Sequence, residues 1–318
     1  MTIATQLDNA EALTVRVAEL YYEDDKTQDE IGTILGITRW KVGRLLSLAR
    51  EQGIVRISIV HPRSRQPGLE RQLRERFGLT DAVVVSDSAS GGDLQDRVTR
   101  AAADYLTSLR LASDSLGVSW GKTLSAVADH LEDDWARAVS VVQVNGGVSL
   151  TTTVDTAAAT AVTIARKGTG SAALLPSPAI LERAETKRVI ESDRTVAAVL
   201  ALASRASVYL YSAGVTDGTS ALVDSGYLTP GDLAQLVARG AVGDVVGRYI
   251  NASGAIVDPE LDERTIGLSL DQLRAAQTAI FVVAGAPKHD IARAVVSSGL
   301  CTVVVTDEAT ATALLSAS

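Results

Sequence analysis

The chain of 318 residues holds one cysteine and one methionine, and only 4% of it is aromatic. A single cysteine excludes a disulfide framework and any multi-thiolate metal site. The three histidines, His61, His130 and His289, lie far apart with no cysteine or acid at metal-ligand spacing, so no metal centre is expected. Long apolar runs are missing too. The longest uncharged stretch, Ala138 to Val154, contains Gln143, Asn145, two glycines and five serines or threonines, which excludes a membrane span. The start, MTIATQLDNAEAL, lacks a basic segment followed by an apolar one, so no secretory signal is expected. What is plentiful is apolar residue, 46% against 21% charged, enough to bury a core and exclude global disorder. The expectation is a soluble cytoplasmic protein with a domain of ordinary size and a smaller one.

Charge of one sign is also unevenly spread. Residues 1–25 hold one arginine and six acids, residues 26–76 hold eleven basic residues and five acids, and residues 77–318 hold eighteen and twenty-seven. The net values are minus 5, plus 6 and minus 9, which return the chain's minus 8. A basic island in an acidic chain suits a segment that meets a polyanion, although a solvated helical face would look the same by charge alone.

The pattern within the island separates the two readings. Over Thr27 to Val55, TQDEIGTILGITRWKVGRLLSLAREQGIV, Ile31, Ile34 and Leu35 fall at helical spacing. Gly36 ends that helix, and Val42, Leu45, Leu46 and Ala49 form a second stripe before Gly53. Two short helices joined by a tight glycine turn make a helix-turn-helix. Gly32 is expected where the helices cross, Ile37 plugs the turn, and Thr38 caps the second helix. That places Arg39, Trp40, Lys41 and Arg44 on the N-terminal half that such motifs lay in the major groove, with Gln28 at the start of the first helix as a further DNA contact. Arginine and lysine there reach phosphates or the acceptor edge of guanine. Trp40 stays open between a packing anchor and a base reader. An apolar stripe in Ala12 to Tyr22 packs beneath the pair, and Val55 to Val60 alternates like the strand of a winged motif. A plain three-helix protein-interaction module is the alternative for residues 1–60.

His61 to Pro67, HPRSRQP, has two prolines, two arginines and no apolar residue, and reads as a hinge. We therefore divide the chain into 1–60, a linker 61–68, and a ligand-binding and assembly domain 69–318. Leu69, Leu73 and Phe77 space a short helix. Beyond it strands are expected at Ala82–Val85, Ser115–Val118, Val139–Val144, Ser207–Tyr211, Thr278–Val283 and Thr302–Val305. Helices are expected at Leu94–Leu109, Leu124–Leu131, Thr156–Ala165, Thr195–Ala203 and Ile291–Val296. This alternation implies a Rossmann-like α/β domain with a parallel sheet covered on both faces. Its ligand crevice lies beyond the carboxyl ends of the strands.

Small-residue loops follow four of those ends. Ser119, Gly121 and Thr123 open a helix where free N–H groups favour an anion. The segment GVSWGKT is not a Walker A loop: three residues rather than four separate Gly117 from Gly121, and Leu116 stands where a glycine is required. Asn145-Gly146-Gly147, Ala213 to Gly218, and Ala284 to Lys288 are the other three. Lys288 at a helix start is unfavourable for the helix dipole unless an anionic ligand shares the spot. The four loops together indicate a phosphorylated small molecule.

The segments LYYEDDKTQDEIGTILGITRWKVGRLLSLAREQGIVRISI, GVSWGKTL, VVQVNGG, LLPSPAI, GAVGDVVGRYI, DERTIGLSLDQLR, FVVAGAPKH and TVVVTDEAT, in order over almost the whole chain, resemble the SorC family of sugar-responsive transcription regulators. The resemblance implies an N-terminal DNA-binding domain and an effector domain folded like sugar-phosphate isomerases and deaminases. It implies a sugar or polyol phosphate effector, double-stranded operator DNA as partner, and a homo-oligomer, a tetramer or dimer of dimers. Gly117, Ser119, Trp120, Gly121, Lys122 and Thr123 would form a phosphate loop. Gln143, Asn145, Gly146, Gly147 and Pro176 would line the sugar, Asp244 and Glu263 would contact hydroxyls, and Lys288 would pair the phosphate. Two departures stand out. Deoxyribonucleoside regulators of this family place a Schiff-base lysine at the position of Asn145, and enzymes of the fold place a catalytic histidine at that of Thr219. Both argue against covalent or catalytic chemistry, so no catalytic residue, metal or cofactor is expected. The alternative function is a sugar-phosphate isomerase or deaminase with an appended DNA-binding domain. Separately, Asp262-Glu263-Arg264 reads either as a sugar contact or as a surface salt-bridge turn. Cys301 reads as a small core residue.

Overall fold

The computed structural model describes residues 3–52, 54–55, 65–87, 93–147, 157–217 and 220–316. The chain forms two compact units, Met1–His61 and Pro62–Ser318. Among the described residues no helix is long and apolar enough to cross a membrane.

Among its described residues the first unit contains three helices, α1 (Ile3–Tyr22), α2 (Gln28–Leu35) and α3 (Arg39–Glu51). Thr27 caps α2 reciprocally with Glu30, the arrangement that satisfies two of the free N–H groups of a first turn. Gly36 ends α2 at φ 65°, a left-handed conformation that glycine adopts without strain. Thr38 caps α3 by accepting from the Lys41 N–H. The core joins Val17 and Leu20 of α1 to Ile31 of α2 and Val42, Leu45 and Leu46 of α3, with Ile37 packed against it. Gly32 serves the turn rather than a helix crossing: a Cβ there would lie 2.7 Å from the Ile37 carbonyl oxygen. The strand expected at 55–60 lies, apart from Val55, outside the described residues, as do residues 61–64 of the linker.

The second unit is built on seven parallel strands: β1 (Asp81–Val85), β2 (Ser115–Val118), β3 (Ser140–Gln143), β4 (Ser171–Ala173), β5 (Val208–Tyr211), β9 (Thr278–Val282) and β10 (Val303–Asp307), while β6 (Ala213–Gly214), β7 (Gly243–Val245) and β8 (Arg248–Ile250) form a separate antiparallel sheet. The parallel order is β1-β10-β9-β5-β2-β3-β4. Alternate residues of β1 show why both faces are covered. Ala82 and Val84 join a cluster with Leu73 of α4 (Pro67–Phe77), and Val83 and Val85 join another with Val98, Ala102 and Leu106 of α5 (Leu94–Ser108). Strands so enclosed read as continuous apolar runs.

From β2 the chain steps outward to β3 and β4, then returns to β5 on the other side of β2 and continues to β9 and β10. The order therefore reverses between β2 and β5, which opens a crevice at their carboxyl ends. Sequence pattern missed β4 and the three strands of the small sheet, each of two or three residues, and the helices Ala184–Ser192, Pro230–Ala238 and Glu308–Ser316. It also began the helix after β2 at Leu124, whereas α6 spans Lys122–His130, so Lys122 and Thr123 belong to its first turn.

Candidate functional site

A cavity of about 220 Å³ occupies the β2/β5 switch point. Ser119 to Thr123 enter it from β2, Asn145 from β3, Ser212 to Val215 from β5, and Lys288 from the loop after β9. The small sheet and the helix Ala221–Asp224 supply the opposite wall through Asp244, Val246, Gly247, Ser220 and Asp224.

The two loops beyond β2 and β3 are tied together. Trp120 donates its indole N–H to the Gly146 carbonyl at 2.9 Å, and Gln143 donates its amide N–H to the Asn145 carbonyl at 2.8 Å. Gly121 turns at φ 129°, and α6 begins immediately after it, with free N–H groups at the cavity. Thr123 accepts a hydrogen bond from the Gln95 amide at 3.1 Å. Asn145 is 1% exposed, and neither its Oδ1 nor its Nδ2 has a hydrogen-bond partner. Buried amides left unpaired cost free energy, so this one is poised for a partner that enters the cavity.

Two charges face each other across the space. Asp244 is buried on β7, its Oδ2 accepting the Gly247 N–H at 3.1 Å. Burial holds its carboxyl up to about 6, against the lowering effects of the Gly247 N–H and the Lys288 ammonium. Lys288 donates to the Ser212 hydroxyl at 3.4 Å, and desolvation lowers its pKa although Asp244 opposes that shift. Each group is therefore short of solvation that a polar ligand can supply. Asp244 also braces a strained turn: Val246 and Gly247 both have positive φ, 48° and 85°, as a two-residue hairpin requires. A β-branched residue in that region is costly, and the Asp244–Gly247 bond closes the turn that imposes it.

Of the residues expected from sequence, Ser119, Trp120, Gly121, Lys122, Thr123, Asn145, Asp244 and Lys288 line the cavity. The others do not. Gly117 is packed against Tyr209 and Val144, where a Cβ would come within 2.7 Å of each. Gln143 supports the Asn145 loop from below. Gly146 backs onto Pro178, whose carbonyl oxygen would lie 2.2 Å from an added Cβ, and Gly147 pairs with Pro178 in an isolated bridge. Pro176 and Glu263 are exposed. Within Asp262-Glu263-Arg264 the carboxylate that pairs is that of Asp262, which lies 3.0 Å from the buried Arg248. The salt-bridge turn thus involves Asp262 and a residue sequence reading passed over. Gly218 and Thr219 lie outside the described residues. Sequence reading also passed over Ser212, Ser220, Asp224, Val246 and Gly247. Ser212 could have been found as the residue directly after β5, while the hairpin carries no asparagine–glycine signal.

In the first unit Arg39, Trp40, Lys41 and Arg44 stand on the first two turns of α3, and Gln28 opens α2. Trp40 is 74% exposed, which removes the packing-anchor reading. Arg39 lies 3.3 Å from Asp29. Among the described residues no group of three or more His, Cys, Asp or Glu could hold a metal ion. Cys301 is buried, with its thiol pushed up to about 12 by desolvation.

Residues 62–316 match the model of the sugar-binding domain family, Sugar-bind. The deoxyribonucleoside regulator of Bacillus subtilis (strain 168) is 31% identical over 304 residues, covering 95% of this chain and 97% of its own. The sorbitol operon regulator of Klebsiella pneumoniae is 30% identical over 313 residues, 95% of this chain and 97% of its own. The crystal structure of that full-length regulator, SorC, superposes with a TM-score of 0.73 over 96% of this chain and 98% of its own, at 27% identity.

Proposed function

Because the chain belongs to the SorC family of sugar-binding transcriptional regulators, we propose that its cavity takes a phosphorylated sugar or polyol whose binding changes the affinity of residues 1–60 for operator DNA. The observation that carries this reading is Asn145: a fully buried amide with both polar atoms free, opening into a cavity that also offers a lysine, a carboxylate and a helix N-terminus. An amide pairs with hydroxyls as both donor and acceptor. Asp244 accepts from a hydroxyl, and the N–H groups of the α6 first turn with Lys288 receive the phosphate. Nothing in this set condenses with a carbonyl, since an amide at 145 is no nucleophile and an ammonium held on phosphate is a poor one. The relatives are accordingly named as regulators rather than enzymes.

Operator binding follows from the first unit. The α3 face bears Arg39, Lys41 and Arg44, and one such module covers a half-site, so two-fold assembly would set two on a palindrome spaced by about 10 base pairs or its multiples. Residues 69–318 would supply the assembly contact, for a tetramer or dimer of dimers. Light scattering on a chain starting at Leu69 is expected to show an oligomer, and a monomer at micromolar concentration contradicts it.

The test of the ligand reading is thermal unfolding against sorbitol 6-phosphate, deoxyribose 5-phosphate and fructose 6-phosphate beside their unphosphorylated parents. A ligand selective for the native state raises the melting temperature. The expected result is a rise with at least one phosphate and none with its parent. Equal rises with both would remove the phosphate from the proposal.

A further inference from the structure

The helix α3 is divided between two environments. Val42, Leu45, Leu46 and Ala49 are buried in the first unit's core. The opposite side carries Trp40, Arg44 and Ser47, which line a shallow cleft together with Gly43, Arg39 and Gln28. Trp40 takes no part in the core cluster, and with 74% of its surface open an indole contributes little to the stability of this fold. Arg44 stands one helical turn further on, its guanidinium 5.5 Å from the centre of the Trp40 ring. That spacing is an i, i+4 cation–π pair, which steadies the long arginine side chain and holds the ring against it.

A large apolar ring in the middle of a cationic surface has no counterpart on a phosphate backbone. Arg39 and Lys41 serve phosphates as cations, whereas an indole offers a phosphate only its single N–H and leaves its apolar faces unused. In the major groove one edge group is apolar, the thymine C5-methyl, while the planar fork of arginine matches O6 and N7 of guanine. Neighbouring base pairs lie about 3.4 Å apart along the helix, so two side chains in contact, as Trp40 and Arg44 are, can serve adjacent positions.

We propose that Trp40 is a specificity-determining residue that contacts a thymine methyl, beside a guanine taken by Arg44, so that each operator half-site carries a thymine next to a guanine. The inference rests on the operator reading above and adds the base that is read and the side chain that reads it. Trp40 does not act on the effector cavity, which belongs to the other unit.

The test begins with enrichment of duplexes from a random pool by the full-length wild-type chain and by Trp40→Ala. Affinities are then measured for the enriched duplex with each thymine in turn replaced by deoxyuridine, which deletes only the methyl. In each half-site one thymine beside a guanine is expected to matter: its methyl loss weakens wild-type binding about fourfold, the value of burying one carbon. Trp40→Ala is expected to be indifferent to that replacement and to enrich sequences without preference at that position, while retaining the guanine. Its melting temperature should match wild type, since the ring is outside the core. Should Trp40→Ala fail to fold, the deoxyuridine scan of wild type against Trp40→Gln carries the same distinction, since a polar amide has no apolar face to offer the methyl. The proposal is overturned if no deoxyuridine replacement weakens wild type, or if both chains enrich the same sequence and respond alike. It is equally overturned if Trp40→Ala weakens all sequences uniformly, which would place the ring on the backbone. A wild-type chain that enriches no sequence refutes the operator reading itself.

Discussion

Replacing Asp244 by asparagine is expected to make the protein more stable and less responsive. The carboxyl titrates at about 6 in the folded chain because burial disfavours its charge, against 3.8 without that environment. An acid whose folded pKa is raised binds more protons folded than unfolded between those values, so its cost is absent below about pH 3.8 and fully present above about pH 6. The difference corresponds to on the order of 3 kcal/mol of destabilisation at pH 7.5. Asparagine keeps an oxygen for the Gly247 N–H, and its NH₂ group, if left unpaired in the cavity, returns about 1 kcal/mol of that gain. The net of about 2 kcal/mol should raise the melting temperature at pH 7.5 by roughly 4 to 8 °C. Scanning calorimetry from pH 4 to pH 8 is the assay. The wild-type advantage at acid pH contributed by this group should vanish in Asp244→Asn, while effector affinity should fall by about ten- to a hundredfold through loss of a charge-assisted hydrogen bond. A lower melting temperature at pH 7.5, or a pH profile identical to wild type, would refute the reasoning.

Lys288→Met should reduce effector affinity about tenfold or more by calorimetric titration, with operator affinity in its absence unchanged. It should also move the Asp244 titration above 6, because the ammonium that lowers it is gone. Gly146→Ala forces a methyl onto the Pro178 carbonyl, 2.2 Å away, and since that neighbour is backbone the denaturant midpoint should drop by the equivalent of about 3 kcal/mol. Thr38→Ala removes the cap on α3 and should cost the first unit about 1 kcal/mol, read as the loss of helical circular dichroism at lower temperature. Incubation with the identified sugar phosphate and borohydride should leave the mass of the chain unchanged; an adduct on Lys122 or Lys288 would show Schiff-base chemistry.

The legible parts of this molecule are those whose residues repeat a local rule. The cap at Thr38, the helix-ending Gly36 and the apolar faces of α2 and α3 are all local, and so are the buried strands β1, β5, β9 and β10. Loops directly following strands β2, β3 and β9 were legible as well, because topology sends every carboxyl end of a parallel sheet to one side. The rest is non-local. Which glycine faces the cavity and which faces a neighbouring backbone depends on Pro178, Tyr209 and Val144, all distant in sequence. Glu263 and Asp262 are adjacent, yet only the second meets Arg248, an arginine buried on a three-residue strand with no periodicity of its own. The Val246–Gly247 turn defies its local preference and is imposed by the packing around Asp244.

The most direct test of the account is the operator-binding curve of the wild-type chain, measured by fluorescence anisotropy on the enriched duplex at fixed salt, with and without the sugar phosphate found by thermal unfolding. A ligand shifts this equilibrium only through unequal affinity for the operator-bound and free arrangements. The account predicts that the phosphorylated compound moves the midpoint of the curve at least fivefold, that its unphosphorylated parent does not, and that Lys288→Met needs about tenfold more compound for the same shift while leaving the unliganded curve in place. A midpoint that stays put when the compound is bound, or a shift of equal size with the parent sugar, would contradict it.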